Sequence, residues 1–396
     1  MTIYERVPRP GPVGAGIVLQ PTGQHVLARL GLLEPIVAKG ARLDGLLCSN
    51  SRGRKIVDIA YDVLEQDLFG LGLHRGVLFS TLFEAVKKEK DVRLRCGVPV
   101  EDLAREKGDR LYVVEPDGTR HGPHELIVVA DGARSRLRDD TDLTDSIEPY
   151  PWGALWFVGR DPDRRFHSRL HQVVEGTGRM MGLLPTGQGP DDGDPSWLVS
   201  LFWSIRIDRV EAWKKDGLEA WKKEALRYVP AADALLAQIH DPEQMLCATY
   251  HDIVMRRWHT HNVVYLGDAA HATSPQLGQG CNLALYDAMA LANSLEQSAT
   301  VAHALAGYSA LRHEHLGFYQ FATRWLTPFF QSDLTARVPG SAWLRDTVLG
   351  TMMQVPYFNR EMVRSMAGIK QGLFGSLELR APDLSAPLLR DNIGEQ

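Results

Sequence analysis

The segment Val263-Val-Tyr-Leu-Gly-Asp-Ala-Ala-His-Ala-Thr-Ser-Pro-Gln-Leu-Gly-Gln-Gly-Cys-Asn282 constrains the fold more than any other part of this 396-residue chain. Its apolar start reads as a buried strand that ends at Gly267, where a small residue admits close approach to the backbone. Asp268 then sits at the carboxyl end of that strand, where open α/β sheets bind ligands. A carboxylate placed there suits a ligand that donates hydrogen bonds, such as a polyol chain. Pro275, Gly278 and Gly280 shape a loop that enters a helix at Cys281 and Asn282. Free N–H groups and the positive dipole end of that helix favour an anion, or a carbonyl that develops negative charge. The bland reading is a glycine-rich turn with Asp268 as a cap, and spacing alone leaves the two even.

A second strand-then-turn unit is Val128-Val-Ala-Asp-Gly-Ala-Arg-Ser-Arg-Leu-Arg138, with Asp131 following a short apolar run of the parallel-sheet kind. Asp-Gly after a strand is more often a plain turn. Arg75 opens an apolar helix expected over Leu78–Lys90, where an arginine is either a surface charge or a phosphate partner. Glu5 closes a short strand at Met1–Arg6, where a dinucleotide fold would hold ribose hydroxyls.

Between these landmarks the texture changes. Residues 7–16 read as a loop, followed by a helix with Thr22 as N-cap and Gly31 past its end. Residues 43–60 read as a hairpin around Ser51-Arg52-Gly53-Arg54, and 92–130 as a β-meander turning at Glu115-Pro-Asp-Gly118. Residues 150–255 are rich in tryptophan and strand-like runs, with a charged helix at Leu218–Tyr228. From Cys281 to about Phe330 the period is helical, and 341–375 adds two apolar helices punctuated by Pro356. The expected plan is α/β, α+β overall. A discontinuous dinucleotide domain (1–149 and 256–330) carries an inserted β-sheet substrate domain (150–255) and a helical tail (331–396).

Composition narrows the partners. Lys+Arg number 44 against Asp+Glu 49, a net charge of −5, which gives no electrostatic reason to expect nucleic acid or an anionic membrane as the main partner. The four cysteines, Cys48, Cys96, Cys247 and Cys281, form no CxxC pair and no metal-ligand spacing with histidine, which excludes a zinc site of the usual kind. No apolar run reaches the roughly 18 residues of a membrane span. The expectation is a cytoplasmic protein with free thiols, a monomer or homodimer.

Together these residues resemble the FAD-dependent aromatic hydroxylases, the single-component flavoprotein monooxygenases of the para-hydroxybenzoate hydroxylase type. The resemblance covers residues 1 to about 330. Gly267-Asp268-Ala-Ala-His271 with Pro275, Gly278, Gly280, Cys281 and Asn282 is similar to the family's GD motif, and Asp131-Gly132 with Ser135 and Arg138 to its DG motif, tied to FAD and NAD(P)H. Tyr4-Glu5-Arg6 and Gly14-Ala-Gly16-Ile17 resemble the end of its second strand and the loop near the flavin, and Arg75 its FAD-contacting arginine. Arg324-Trp-Leu-Thr-Pro-Phe-Phe-Gln-Ser-Asp333 more loosely resembles the ubiquinone-biosynthesis hydroxylases. The resemblance implies FAD as cofactor, NADH or NADPH as co-substrate, and O2-dependent hydroxylation of an apolar aromatic or quinone-like small molecule. Its cofactor-binding residues would be Glu5, Arg6, Gly16, Arg75, Asp131, Asp268, Pro275, Gly278, Gly280, Cys281 and Asn282.

One departure stands out. The family's G-x-G-x-x-G precedes its ribose-binding acid by about 20 residues. No such motif occurs in the sequence, and Gly14-Ala-Gly16 follows a proline-rich loop instead of a strand. The expectation is therefore a fold whose first βα unit lies outside this sequence or is lost, with weak flavin binding by the chain as given. The alternatives are a same-fold flavin reductase or dehydrogenase, and a flavin-free binder of small aromatics. A halogenase is disfavoured, because Trp197 and Trp203 stand too far apart for Trp-x-Trp-x-Ile-Pro. No catalytic base stands out; His74, His171 and His271 read as structural. Trp152, Trp156 and Trp203 suggest either an aromatic pocket or ordinary core.

Overall fold

A computed structural model describes residues 1–108, 110–138, 142–372 and 374–377. The strands are β1 (Thr2–Glu5), β2 (Gly16–Leu19), β3 (Ala41–Asn50), β4 (Lys55–Ala60), β5 (Gly70–His74), β6 (Arg93–Cys96), β7 (Asp102–Glu106), β8 (Arg110–Val114), β9 (Arg120–His124) and β10 (Ile127–Val129). They continue with β11 (Thr144–Arg160), β12 (Ser168–Glu175), β13 (Arg179–Gly187), β14 (Leu198–Arg206), β15 (Leu246–Met255), β16 (His259–Thr260) and β17 (Val263–Tyr265). The helices are α1 (Pro21–Arg29), α2 (Leu33–Lys39), α3 (Arg75–Lys88), α4 (Val210–Asp216), α5 (Leu218–Tyr228), α6 (Asp233–Leu236), α7 (Asp268–His271), α8 (Gly280–Glu296), α9 (Val301–Phe330), α10 (Leu334–Arg337), α11 (Ser341–Met352) and α12 (Pro356–Met366).

The apolar run 127–129 pairs in parallel with Val263–Tyr265, Val128 opposite Val264, as the two short hydrophobic runs lead one to expect. β1 pairs in parallel with β6, Ile3 opposite Leu94. Strands β7, β8 and β9 form an antiparallel meander, and the Glu115–Gly118 turn closes with Gly118 N donating to Glu115 O. Val129, Val264, Tyr265 and Leu266 share one core with Leu305, Tyr308 and Leu316 of α9. Val128 departs from the expected burial of its strand: at 44 % exposure it presents an apolar side chain to solvent.

The large sheet extends beyond the bounds expected for it. Among the described residues nine strands join, in the order β15-β11-β14-β13-β12-β3-β5-β2 with β4 paired to β3. Strands from residues 16–74 thus belong to the same sheet as those from 144–255. The join is the parallel pair β3–β12, Leu46 opposite Leu170, a long-range pairing that leaves no periodic trace in either segment. One face of the sheet packs Leu155, Leu183 and Leu201 against Trp221 and Leu235 of the α4–α6 region. The other packs Leu46, Ile59 and Leu170 against Leu349 and Val363 of the C-terminal helices.

Local chemistry explains most boundaries. The β3–β4 turn closes through Gly53, whose φ of 79° favours a residue without Cβ, and Asn50 Oδ1 accepts from both Arg52 N and Arg54 N. The N-cap of α1 is Gln20, two residues before the expected Thr22. Pro21 occupies its first turn, and Thr22 Oγ1 instead donates to Ala367 O. Gly31 does follow its C-cap, at φ 68°. Gly16, expected in a loop, starts β2 opposite His74. Residues 378–396 of the expected tail lie outside the described residues.

Candidate active site

Strand β17 delivers the chain to Gly267, which has φ 56° and ψ −141°, a region almost closed to residues with a side chain. A Cβ there would stand 3.0 Å from the Ala284 methyl. Gly267→Ala is therefore expected to cost on the order of 1–3 kcal/mol, read as a lowered urea midpoint, because both the backbone and its neighbour on α8 must move. After Gly267 the chain turns into α7, and Asp268 is exposed. A short turn, Pro275–Leu277, ends at Gly278 in the left-handed region, and α8 begins two residues later.

The start of α8 is open. Its N-cap, Gln279, makes no side-chain cap, so the first-turn N–H groups at Gly280, Cys281 and Asn282 have no carbonyl one turn back within the helix. A Cβ on Gly278 would meet nothing within 4 Å, and one on Gly280 would meet only Asp268 Oδ1 at 3.6 Å. Gln279 is buried, its Nε2 spent on Met366 O at 2.6 Å while its Oε1 has no donor. Arg75, at the start of α3, lies beside Gly14, whose Cβ would approach Arg75 Cδ to 3.1 Å. Arg75 and Asp268 both act on the Cys281 thiol, which burial pushes up to about 11, so this cysteine is no nucleophile at neutral pH.

Asn282 works differently from expectation. Its side chain is fully buried and spent within the protein: Oδ1 accepts from Gln20 N at 2.8 Å, and Nδ2 donates to Val18 O and Gly278 O. It ties α8 to the β2–α1 junction and braces the Gly278 turn, so its side chain positions the loop. Gly16 likewise faces the interior, where a Cβ would press into Ser200 Oγ at 2.5 Å. Glu5 ends β1 and accepts from Val7 N at 2.7 Å, while Arg6 is exposed beside it. No hydrogen bond or ion pair among the described residues joins Glu5 or Arg6 to the α8 start.

The Asp131 turn is bolted to this loop. Arg138 is buried, and its guanidinium donates to Gly132 O and Ala133 O on one side and to Ala269 O, at 3.1 Å, on the other. Ser135 Oγ accepts from Leu137 N. Arg138 and Ser135 thus hold the turn, while Asp131 is exposed and a Cβ on Gly132 would meet nothing within 4 Å. His74 Nδ1 caps α3 by accepting from Gly76 N, and His171 lies within β12, opposite Leu183.

His271 leads into a buried polar network that residue patterns did not announce. Asp287 on α8 is completely buried; its Oδ2 accepts from Gly267 N at 2.9 Å and lies 2.5 Å from His271 Nε2, and its Oδ1 accepts from Arg312 Nε at 2.7 Å. Burial alone would raise its carboxyl, but the charges of His271 and Arg312 and these hydrogen bonds hold it far below the usual range. Arg312 in turn meets His315, whose Nε2 bonds Gly368 O at 2.8 Å. This network clamps the strained Gly267 peptide from behind. Only Asp287 and His271 lie near the motif in sequence; Arg312, His315 and Gly368 carry no local signal.

A flavin suits this surface: an exposed strip of small residues runs along an uncapped helix start, with a carboxylate and an arginine beside it. The FAD binding domain family profile matches residues 3–316, most of the chain. The chain belongs to the FAD-binding domain family. It is 28 % identical over 326 residues to the aurachin C monooxygenase/isomerase of Stigmatella aurantiaca, covering 79 % of this chain and 78 % of that one. It is 26 % identical over 373 residues to the 2-heptyl-3-hydroxy-4(1H)-quinolone synthase of Pseudomonas aeruginosa strain UCBPP-PA14, covering 88 % and 86 %. In fold it matches pqsL, a probable FAD-dependent monooxygenase from Pseudomonas aeruginosa, with a TM-score of 0.71 at 22 % identity over 88 % of this chain and 92 % of that one. This chain is an FAD-dependent monooxygenase of the aromatic hydroxylase type.

Proposed function

We propose that the chain hydroxylates a small, apolar aromatic or quinone-like molecule, drawing electrons from NADH or NADPH and the oxygen atom from O2. The observation that carries this reading is the open start of α8: Gly278 and Gly280 unobstructed, Gln279 providing no cap, and Asp268 exposed alongside. The relatives point the same way, since the aurachin and quinolone enzymes are named for planar aromatic molecules.

Bound FAD would supply the electron transfer and the reaction with O2 that side chains cannot perform. The residues that would hold it are Gly278, Gly280 and Cys281 through their backbone, Asp268 and Asp131 through their carboxylates, and Arg75 through its charge. The helix start and Arg75 favour negative charge that develops against them. Arg138 fixes the two loops relative to each other and Asp287 holds Gly267 in place, so these groups are preorganised.

The test is turnover by purified protein reconstituted with FAD. NAD(P)H oxidation is expected to be stimulated by a 2-alkyl-4-quinolone or a related apolar aromatic, with a product one oxygen heavier by mass spectrometry. NAD(P)H-dependent O2 consumption that yields no oxygenated product across such a panel would favour the reductase reading instead.

A further inference from the structure

Helix α11 buries a charged pair beside Leu349 and leaves large apolar side chains outside. Its inward face carries Arg345 and Asp346, both buried, with Arg345 Nη2 donating to Asp346 Oδ1 at 2.6 Å and Arg345 Nη1 to Gly176 O and Phe329 O. Its outward face carries Trp343 at 66 % exposure, Leu344 at 54 %, and Val348 one turn on. The first turn of α12 adds Tyr357, 59 % exposed, and Phe358, whose ring lies 5.5 Å from it. Both helices pack on β4, so these turns share one side of the protein. Scattered exposed hydrophobics need no explanation, but exposed aromatic and aliphatic side chains gathered on one side mark an interaction surface.

The charges around the patch identify its occupant. Arg337 and Arg360 are exposed on the same segment. The β3–β4 turn adds exposed Arg52 and Arg54, and Arg54 Nη1 donates to Thr347 Oγ1 of α11 at 3.4 Å. Among the described residues none of these four arginines makes an ion pair. Asp346 is the one acid between residues 334 and 360, and it is turned inward to Arg345. A second copy docked through this same face would set arginines against arginines, while Glu175 beside the β3–β4 turn and Glu361 on α12 are already paired, with Arg179 and with Arg364 and Lys370. An anionic lipid surface meets both the apolar residues and the arginines.

We infer that the outward face of α11, the first turn of α12 and the β3–β4 turn dock this enzyme on an anionic lipid bilayer. Trp343, Leu344 and Phe358 enter the headgroup layer and the arginines lie on its phosphates. The contact is peripheral, since no helix among the described residues is long and apolar enough to cross a membrane. The net charge of −5 conceals this local asymmetry.

The test is co-sedimentation of the full chain with vesicles of phosphatidylcholine alone or mixed with phosphatidylglycerol. Salt-sensitive partition onto the mixed vesicles is expected. The W343S/F358S pair should lower it at least about tenfold, and R52Q/R54Q about fivefold per arginine. All four side chains are exposed, so unfolding midpoints should not move; R337Q/R360Q, which alters only exposed charge, repeats the test if one does. Failure of the parent chain to bind either vesicle overturns the inference, as does equal binding by the variants. A dimer that W343S/F358S converts to monomer, without vesicle binding, would overturn it by assigning the face to self-association.

Discussion

Asp287→Ala is expected to destabilise the protein by about 3–5 kcal/mol, the range for removing one partner of a buried ion pair. The carboxylate is fully buried and answers three donors at once: Gly267 N, His271 and Arg312. Without it, Arg312 stays as a guanidinium at zero exposure with its carboxylate partner gone, and the Gly267 peptide loses the acceptor that fixes its strained conformation. The damage therefore reaches the cofactor loop as well as the core. Urea unfolding gives the energy, and loss of FAD retention after gel filtration reports the loop. A purely cavity-driven loss would not respond to the charge left behind, so the double variant D287A/R312L separates the two. Replacing a whole buried pair by apolar groups is often close to neutral, and the double variant should recover part of the stability that D287A loses. If it is no more stable than D287A alone, the buried charge is not what the carboxylate compensates.

How far such a network can be read from sequence depends on where its signal resides. The parallel strands β10 and β17 were legible because short runs apolar throughout suit a central parallel strand, a pattern that β17 obeys on both faces and β10 on one, with Val128 turned to solvent. The β3–β4 turn was legible because Gly53 serves a backbone conformation that most residues avoid. The same holds at the candidate site: Asp268, Gly278 and Gly280 announce themselves through local geometry, and the structure leaves all three open. Arg312 and His315 could not be found this way. Each looks like a surface residue on a long amphipathic helix, and only tertiary contact, of Arg312 with Asp287 25 positions earlier and of His315 with Gly368, buries it. The extent of the large sheet was hidden for the same reason, since the pairing of Leu46 with Leu170 is decided by chain topology. Asn282 shows a subtler limit. A motif does not tell whether a side chain faces a ligand or, as here, braces the loop through Gln20 and Gly278.

His315 makes the stability of this enzyme depend on pH in a defined direction. Its Nδ1 faces the Arg312 guanidinium, so it must accept, and its Nε2 donates to Gly368 O; this arrangement requires the neutral ring. Protonation would turn an N–H toward a fixed cation inside the core. Burial, then the charge of Arg312, pushes the imidazole down to about 3. In the unfolded chain it titrates near 6.5. Between these values the unfolded state binds a proton that the folded state refuses, so stability is full above about pH 6.5 and falls as the pH drops. At about 1.4 kcal/mol per pH step, the loss reaches roughly 2 kcal/mol by pH 5. Asp287 adds to the loss only below about pH 4, where an unfolded aspartate protonates. His315→Gln keeps a donor and an acceptor but cannot titrate. It is expected to be less stable than the parent by about 1–3 kcal/mol near pH 7.5, yet with a shallower decline toward pH 5, so the two curves converge on acidification. Urea unfolding across that range measures both, and parallel curves for parent and variant would show that His315 is not the group that senses the acid.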